Sequence, residues 1–561
     1  MKKKFKFYHI TVIGVVFLVT LIFLLPADAL QQSQFDYINL PALENYQKEG
    51  HPKLESVLYR LAQVYSHDGP EQAKAFASMR GIDVDGDFAR VVLEAQTAGI
   101  GEWEATLAGK IVKWQVEGAG GRVETSFRQS VQGRVPFNSL LHLANLESVR
   151  FIRRPFLPHL TETSEGVAAT GANKWHMLTP YHAQDSPKVC ILDAGFENYP
   201  ALLGTELPAS VTTKSFRADG SIFAGQKHGA GCAEIVHDMA PNAELLLVNF
   251  QTSIELQNAL IWILQQDVDI ISFSMGSYIG GRGDGTGPMC ELVEFAYNSG
   301  VTWVTSAGNA ATDHWQGDFY DSDSDKWHNF SGGDEILHFY VPGNTITSAY
   351  LKWDDWGTWN GSTYSGSNQD YDLYLYYYDG ANWHYVDKSS NNQTGTQWPY
   401  EILNGWYSSS SAWWGIAIYK YNATKNLTMD LFIPTHSGDL EYNVPEGSLT
   451  SPSDSPYIIA VGAVDWSGFD YHSYSSRGPT LDGRIKPDLC APSGISCVSY
   501  GSGNFYGTSA SCPHVAGALA LLMLKTPFDL GEVKSIIEGR AEDLGPTGKD
   551  NQYGLGRLKL D

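Results

Sequence analysis

The stretch Tyr506–Gly517 (YGTSASCPHVAG) opens onto Ala518–Leu524, a run with no polar face. A helix apolar on every side belongs in the middle of a domain. Gly507 and Thr508 are expected to form the turn into it, with Ser509 at its first exposed point and Pro513 loosening the first turns. From Pro187 onward, continuous apolar runs alternate with helical ones. Val189–Leu192, Leu245–Val248, Val268–Met275, Val301–Ala307 and Tyr457–Val464 read as strands, and His228–Met239, Ile254–Gln265 and Cys290–Ser299 as helices. Strands without a polar face, separated by helices, predict a parallel sheet covered on both sides, with chemistry at the carboxyl ends of its strands.

Two segments break this pattern. Residues 312–444 are rich in Tyr, Trp, Ser, Asn and Gly, with short alternating runs such as Leu337–Val341, Asp372–Tyr376 and Gly415–Tyr419. They predict an antiparallel β-sandwich inserted into the α/β region, with most of the sixteen tryptophans packed in its core. Near the amino end, after a polar leader, Arg90–Glu94, Lys110–Val116, Val123–Val131, Leu140–Leu146 and Val149–Ile152 read as two strand–helix–strand passes. That suggests a small α+β unit of ferredoxin-like character. A helix is also expected around Leu530–Arg540.

A chain of 561 residues accommodates several domains. A net charge of −24 argues against nucleic acid as a partner. Four lysines within Met1–Lys6 precede an apolar run from Ile10 to Leu25 and an Ala27-Asp28-Ala29 site. This is the pattern of a secretory signal cleaved after Ala29, with an uncleaved anchor as the competing reading. The expected location is therefore extracellular or the cell envelope, with no stable membrane span once the signal is cut. Six cysteines are too few for a disulfide-built scaffold; Cys490 and Cys497 are the most plausible local pair.

Asp193 ends a predicted buried strand, and His228 and Ser509 each open a helix. A serine hydroxyl needs an imidazole to take its proton, and the imidazole needs a carboxylate to fix its tautomer. Judged singly, Asp193 reads better as a helix cap and His228 as a satisfied core or surface histidine, and the cap and nucleophile readings of Ser509 are even. Their joint placement at element ends of one sheet favours chemistry.

With their flanks (ILDAGF, HGAGCAEI followed by MAPNAELLLV, SSRGPTLDGRIKPDLCAPSG from Ser475 to Gly494, and GTSASCPHVAG), these residues resemble the subtilisin-like serine peptidases, or subtilases, peptidase family S8. The order Asp, His, Ser is the order found there. The resemblance covers 164–311 and 445–561. It departs at Ala194, where the family usually has Ser or Thr, and at Ala230, where it usually has Thr.

The resemblance implies a secreted serine endopeptidase acting on proteins or peptides through an acyl-enzyme. Asn309 would donate to the oxyanion. Ser274, Met275 and Gly276 would pair with substrate backbone, and Thr305, Ala307 and Gly308 would form the opposing wall of the S1 pocket. It also implies that residues 30–160 are a propeptide acting as intramolecular inhibitor, cut between Arg154 and Thr163, ahead of catalytic segments 161–311 and 445–561. No cofactor is required. Asp321, Asp323 and Asp325 alternate in a loop that could hold a structural calcium, or could simply be solvated. Two alternatives stay open. One is a sedolisin-like site with Glu as base, against which His228-Gly229 and Pro513-His514 argue. The other is a catalytically silent binding protein in which the sandwich carries the ligand.

Overall fold

The computed structural model describes residues 50–80, 82–97, 102–155, 159–160, 166–176, 186–361, 363–438, 440–525 and 532–561. The signal-like stretch and parts of the expected cleavage region lie outside them. Among the described residues, no helix is long and apolar enough to cross a membrane.

The α/β region is built on a nine-stranded sheet in the order Ala541–Glu542, Arg557–Leu558, Leu489–Ser493, Ile458–Asp465, Thr302–Ser306, Ile270–Phe273, Lys188–Asp193, Glu244–Asn249, Thr212–Ser215. Every neighbouring pair is parallel except the first. The central strands are buried along their length because helices cover both faces.

The helix Thr508–Lys525 runs through the larger core cluster, its residues from Ala510 to Leu522 buried. At Gly517 an added Cβ would lie 2.4 Å from the Cβ of Met239, so the glycine lets this helix approach His228–Met239 closely. Ser509 is fully buried rather than exposed. Beside it the strand His159–Leu160 pairs antiparallel with Met275–Gly276.

Between the neighbouring strands Thr302–Ser306 and Ile458–Asp465 the chain forms two four-stranded antiparallel sheets. One contains His314–Asp318, Thr428–Phe432, Thr345–Trp353 and Tyr400–Ser408. The other contains Leu337–Val341, Ala412–Asn422, Asp370–Tyr378 and Trp383–Ser389. Trp315, Leu351, Trp353 and Met429 of the first share one core with Leu337, Phe339, Leu373 and Ile416 of the second. Trp353, Trp356 and Trp414 are buried, as core packing requires.

The N-terminal unit holds a five-stranded antiparallel sheet with its own core. The expected alternation over Val123–Val131 is a hairpin, Arg122–Phe127 and Ser130–Pro136, turning through Arg128 at φ 48°. Ahead of the sheet stand two helices, Ser56–Asp68 and Pro70–Met79, where only a polar leader was expected.

All six cysteines are free. The expected Cys490–Cys497 pair does not form, because the Cys490 thiol turns to the Gln552 carbonyl, 3.6 Å away.

Candidate active site

Asp193 is the last residue of its central strand, at the carboxyl edge of the sheet, and is fully buried. Its carboxylate accepts from the backbone N–H of Ala194 at 2.7 Å. A main-chain donor thus supports the carboxylate where the sequence lacks a hydroxyl. His228 is the first residue of its helix, and its Nδ1 lies 2.9 and 2.8 Å from the two Asp193 oxygens. A carboxylate accepts only, so Nδ1 carries the hydrogen and Nε2 is left to receive a proton. Burial favours the neutral ring, but the touching Asp193 carboxylate overrides it and holds the imidazole well above the ordinary histidine range.

Ser509 stands in the first turn of its helix, and its hydroxyl donates to the Ser274 carbonyl at 3.1 Å. In return the Ser274 hydroxyl donates to the Ser509 carbonyl at 2.8 Å. Cys232 links this residue to the histidine: its sulfur is 4.0 Å from His228 Nδ1 and 3.8 Å from the Ser509 carbonyl oxygen. Burial raises the Cys232 thiol above its ordinary range, so it packs here as a neutral group. Phe505 closes one side of the imidazole in an edge-on contact, centroids 6.4 Å apart.

Asn309 follows the strand Thr302–Ser306. Its side-chain oxygen accepts from both the N–H and the hydroxyl of Thr508, each at 2.9 Å. With the oxygen tied down, the amide nitrogen is the end of Asn309 available to donate elsewhere. Gly308 accepts a left-handed backbone at φ 111°, and a Cβ there would fall 2.8 Å from Ser476 Oγ and Thr450 Oγ1. Its N–H donates to Thr508 Oγ1 at 3.2 Å.

The remaining sequence-selected positions divide into two groups. Met275 and Gly276 pair with Leu160 and His159, and Ser274, just before them, bonds to Ser509. Thr305 and Ala307 are completely buried. The Thr305 hydroxyl donates to the Phe273 carbonyl at 3.0 Å, and the Ala307 N–H to Val461 at 2.9 Å. Two residues support the site in ways the sequence did not assign: Cys232, one helical turn after His228, and Thr508, expected only as part of the turn before the serine. Their spacing was the available signal.

Asp321, Asp323 and Asp325 bring one carboxylate oxygen each within 4.8 Å of one another. Behind them Glu335 is fully buried, its acid pushed up to about 8 by burial and by these neighbours. An all-oxygen donor set of this kind fits a hard cation.

The subtilase family model matches residues 184–412 and 438–556, well over half of the chain. This chain is a subtilase. An extracellular serine protease of Serratia marcescens is 43% identical over 116 residues, covering 20% of this subtilase and 11% of that protein. Serine protease AprX of Bacillus subtilis (strain 168) is 32% identical over 140 residues, covering 20% of this chain and 31% of AprX. The subtilase thus aligns with a third or less of the length of either relative. Among solved structures, the Clostridium perfringens CspB protease superposes with a TM-score of 0.51 at 16% identity, over 71% of this chain and 97% of that one. At that identity the likeness speaks for the fold alone.

Proposed function

We propose that this subtilase is a secreted serine endopeptidase. The observation that carries the reading is the Asp193–His228 contact, made in the same buried site as Ser509 and joined to it through Cys232. His228 Nε2 takes the proton of the Ser509 hydroxyl as Oγ attacks the carbonyl carbon of the scissile peptide bond. The tetrahedral oxyanion accepts from the Ser509 N–H and the Asn309 amide nitrogen. Collapse expels the leaving amine, which takes the proton from His228 and leaves an acyl-enzyme. Water then repeats the sequence, returning Ser509 and releasing the acid. Asp193 fixes the tautomer and stabilises the imidazolium throughout.

Substrate lies along Ser274, Met275 and Gly276 as an added strand. The pairing of His159–Leu160 with Met275–Gly276 supports the reading that residues 30–160 are a propeptide whose tail occupies this cleft. An antiparallel strand in that register meets Ser274, and hence the Ser509 hydroxyl, just after Leu160. Within the expected interval from Arg154 to Thr163, self-cleavage therefore belongs on the carboxyl side of Leu160. On the same reading residues 1–29 are a cleaved signal, and 312–444 is an insertion in the catalytic unit. Asp321, Asp323 and Asp325 would hold a structural calcium, whose removal by chelator lowers the melting temperature without changing the cleavage chemistry.

The test is hydrolysis of an unfolded protein by the matured chain, with the new amino terminus sequenced. The expected result is turnover by the natural chain, none by Ser509→Ala, and a terminus between residues 161 and 163. Turnover that survives Ser509→Ala contradicts the assignment.

A further inference from the structure

The helix Glu102–Gly118 of the N-terminal unit has two apolar faces, and the fold uses only one of them. Ala105, Val112 and Val116 are buried against the sheet, the two valines as part of that unit's core. Gly109, on the same side, lies so close to the neighbouring hairpin that an added Cβ would sit 2.0 Å from the Arg128 carbonyl oxygen. That approach fixes the rotation of the helix about its axis. At about 100° per residue, Trp103, Leu107, Ile111 and Trp114 fall within an arc of about 80° on the opposite side. All four are exposed, the tryptophans by 73% and 74%, more than any other large apolar side chain among the described residues. The ridge cannot turn inward without driving Gly109 off the hairpin.

Three observations say what this ridge meets. The first is its size. It presents on the order of 400–500 Å² of apolar surface along about 16 Å of helix, about half of what one side of a stable protein–protein interface covers. A patch of that extent still marks an interaction site, and a lipid surface asks for no matching contour. The second is its composition. Tryptophans at both ends bracket Leu107 and Ile111, with Lys110 and Lys113 exposed beside them. Tryptophan and lysine each join an apolar body to a polar tip, as the headgroup boundary of a bilayer requires. The third is charge. Residues 51–160 carry thirteen Lys or Arg against twelve Asp or Glu, whereas residues 161–561 carry twenty against forty-six. An anionic bilayer repels the acidic remainder and tolerates the unit that bears the ridge. That unit also comes next in the chain after the lysine-led apolar run Ile10–Leu25 and the polar leader behind it.

We propose that the ridge docks the uncut chain on a lipid bilayer. The helix lies along the surface with Trp103, Leu107, Ile111 and Trp114 dipped among the headgroups, and the acidic catalytic and two-sheet parts face water. The inference rests on the secretory reading above for where the chain meets that bilayer, and not for the binding itself.

The experiment uses residues 30–561 carrying Ser509→Ala, so that the chain stays uncut and the apolar run is absent. Failure of the signal reading or of the triad then cannot affect the result. The protein is sedimented with vesicles of phosphatidylcholine containing about one-third phosphatidylglycerol. It should pellet with them. Trp103→Ser combined with Trp114→Ser should weaken that binding at least about tenfold, and Leu107→Glu similarly, whereas Trp466→Ser, outside the ridge, should leave it unchanged. A second measurement needs no ridge variant: bromine on the acyl chains near the headgroups should quench tryptophan emission more than bromine near the bilayer centre. Protein that stays in the supernatant overturns the proposal, as does pelleting indifferent to Trp103, Leu107 and Trp114. So does a dimer in gel filtration without lipid that the double tryptophan variant loses, because the ridge then belongs to a second copy.

Discussion

The nine-stranded sheet and the pair of four-stranded sheets use apolar strands in opposite ways. In the first, strands such as Ile270–Phe273 and Leu489–Ser493 are buried on both faces, so the only places for polar chemistry are their ends. Asp193 and Asn309 are such residues. In the second, Leu337–Val341 buries alternate positions against one shared core while Asp370–Tyr378 and Ala412–Asn422 are covered nearly throughout, and polar side chains stand along the strands and not only at their ends. Asp387 is one of these, and it meets the N-terminal unit rather than the cleft. One architecture concentrates reactive groups at strand ends, and the other spreads contact groups over a face. Changes in the first should therefore act on turnover or global stability, and changes in the second on what is held against it.

The largest effect should come from Ser509→Ala, which should cut kcat by about 10⁶ in a peptide-hydrolysis assay, with the N-terminal unit removed by a foreign protease because this variant cannot cut itself. A drop of that size from a substitution in the two-sheet unit, in protein that remains folded, would erase the contrast between the regions. Next is Asp488→Ala. Asp488 is buried and receives Lys486, Lys534 and Lys549 at 2.7, 2.9 and 3.1 Å, at the start of the strand Leu489–Ser493. Lys486 is itself buried, its amine lowered to about 8 by burial against the pull of Asp488. Removing the carboxylate strands that charge and should cost about 3–5 kcal/mol in denaturant unfolding. Asn309→Ala should lower kcat by about 10²–10³ with little change in KM, because the amide serves the oxyanion and not the ground state.

The pH dependence should be the mildest of these effects. Asp193 raises His228, and a general base must be unprotonated. Activity should therefore be present above the histidine's raised pKa and fall as pH drops through it, at a pH above the ordinary value of 6.5. A kcat/KM profile of the matured enzyme checks this, and a midpoint on the acid side would indicate a carboxylate base instead.

The same contrast explains what could be read from the chain alone. Doubly buried strands are continuous apolar words such as IIAVGAV, so the sheet, its order of chemistry-bearing ends and the residues Asp193, His228 and Ser509 were legible. Thr212–Ser215 was not: an exposed edge strand of sequence TTKS carries no apolar signature. Leu489–Ser493 is short and contains Pro492, which the eye reads as a break. The helix Ser56–Asp68 buries only Ser56, Leu58, Leu61 and Ala62, too sparse a stripe to stand out among polar neighbours. Thr305 sits where a family motif draws attention, yet its hydroxyl is spent on the Phe273 carbonyl. The burial of Ser509 beside the His159–Leu160 pairing depends on a contact between parts of the chain far apart in sequence, which no local pattern encodes.

The measurement that bears most directly on the central claim is fluorophosphonate labelling of the protein after a foreign protease has removed its N-terminal unit, with the modified peptide located by mass spectrometry. The adduct should sit on Ser509, disappear in Ser509→Ala, and form far more slowly in His228→Ala, where nothing receives the hydroxyl proton. An adduct on a different serine, or labelling of Ser509 at an unchanged rate without His228, would contradict it.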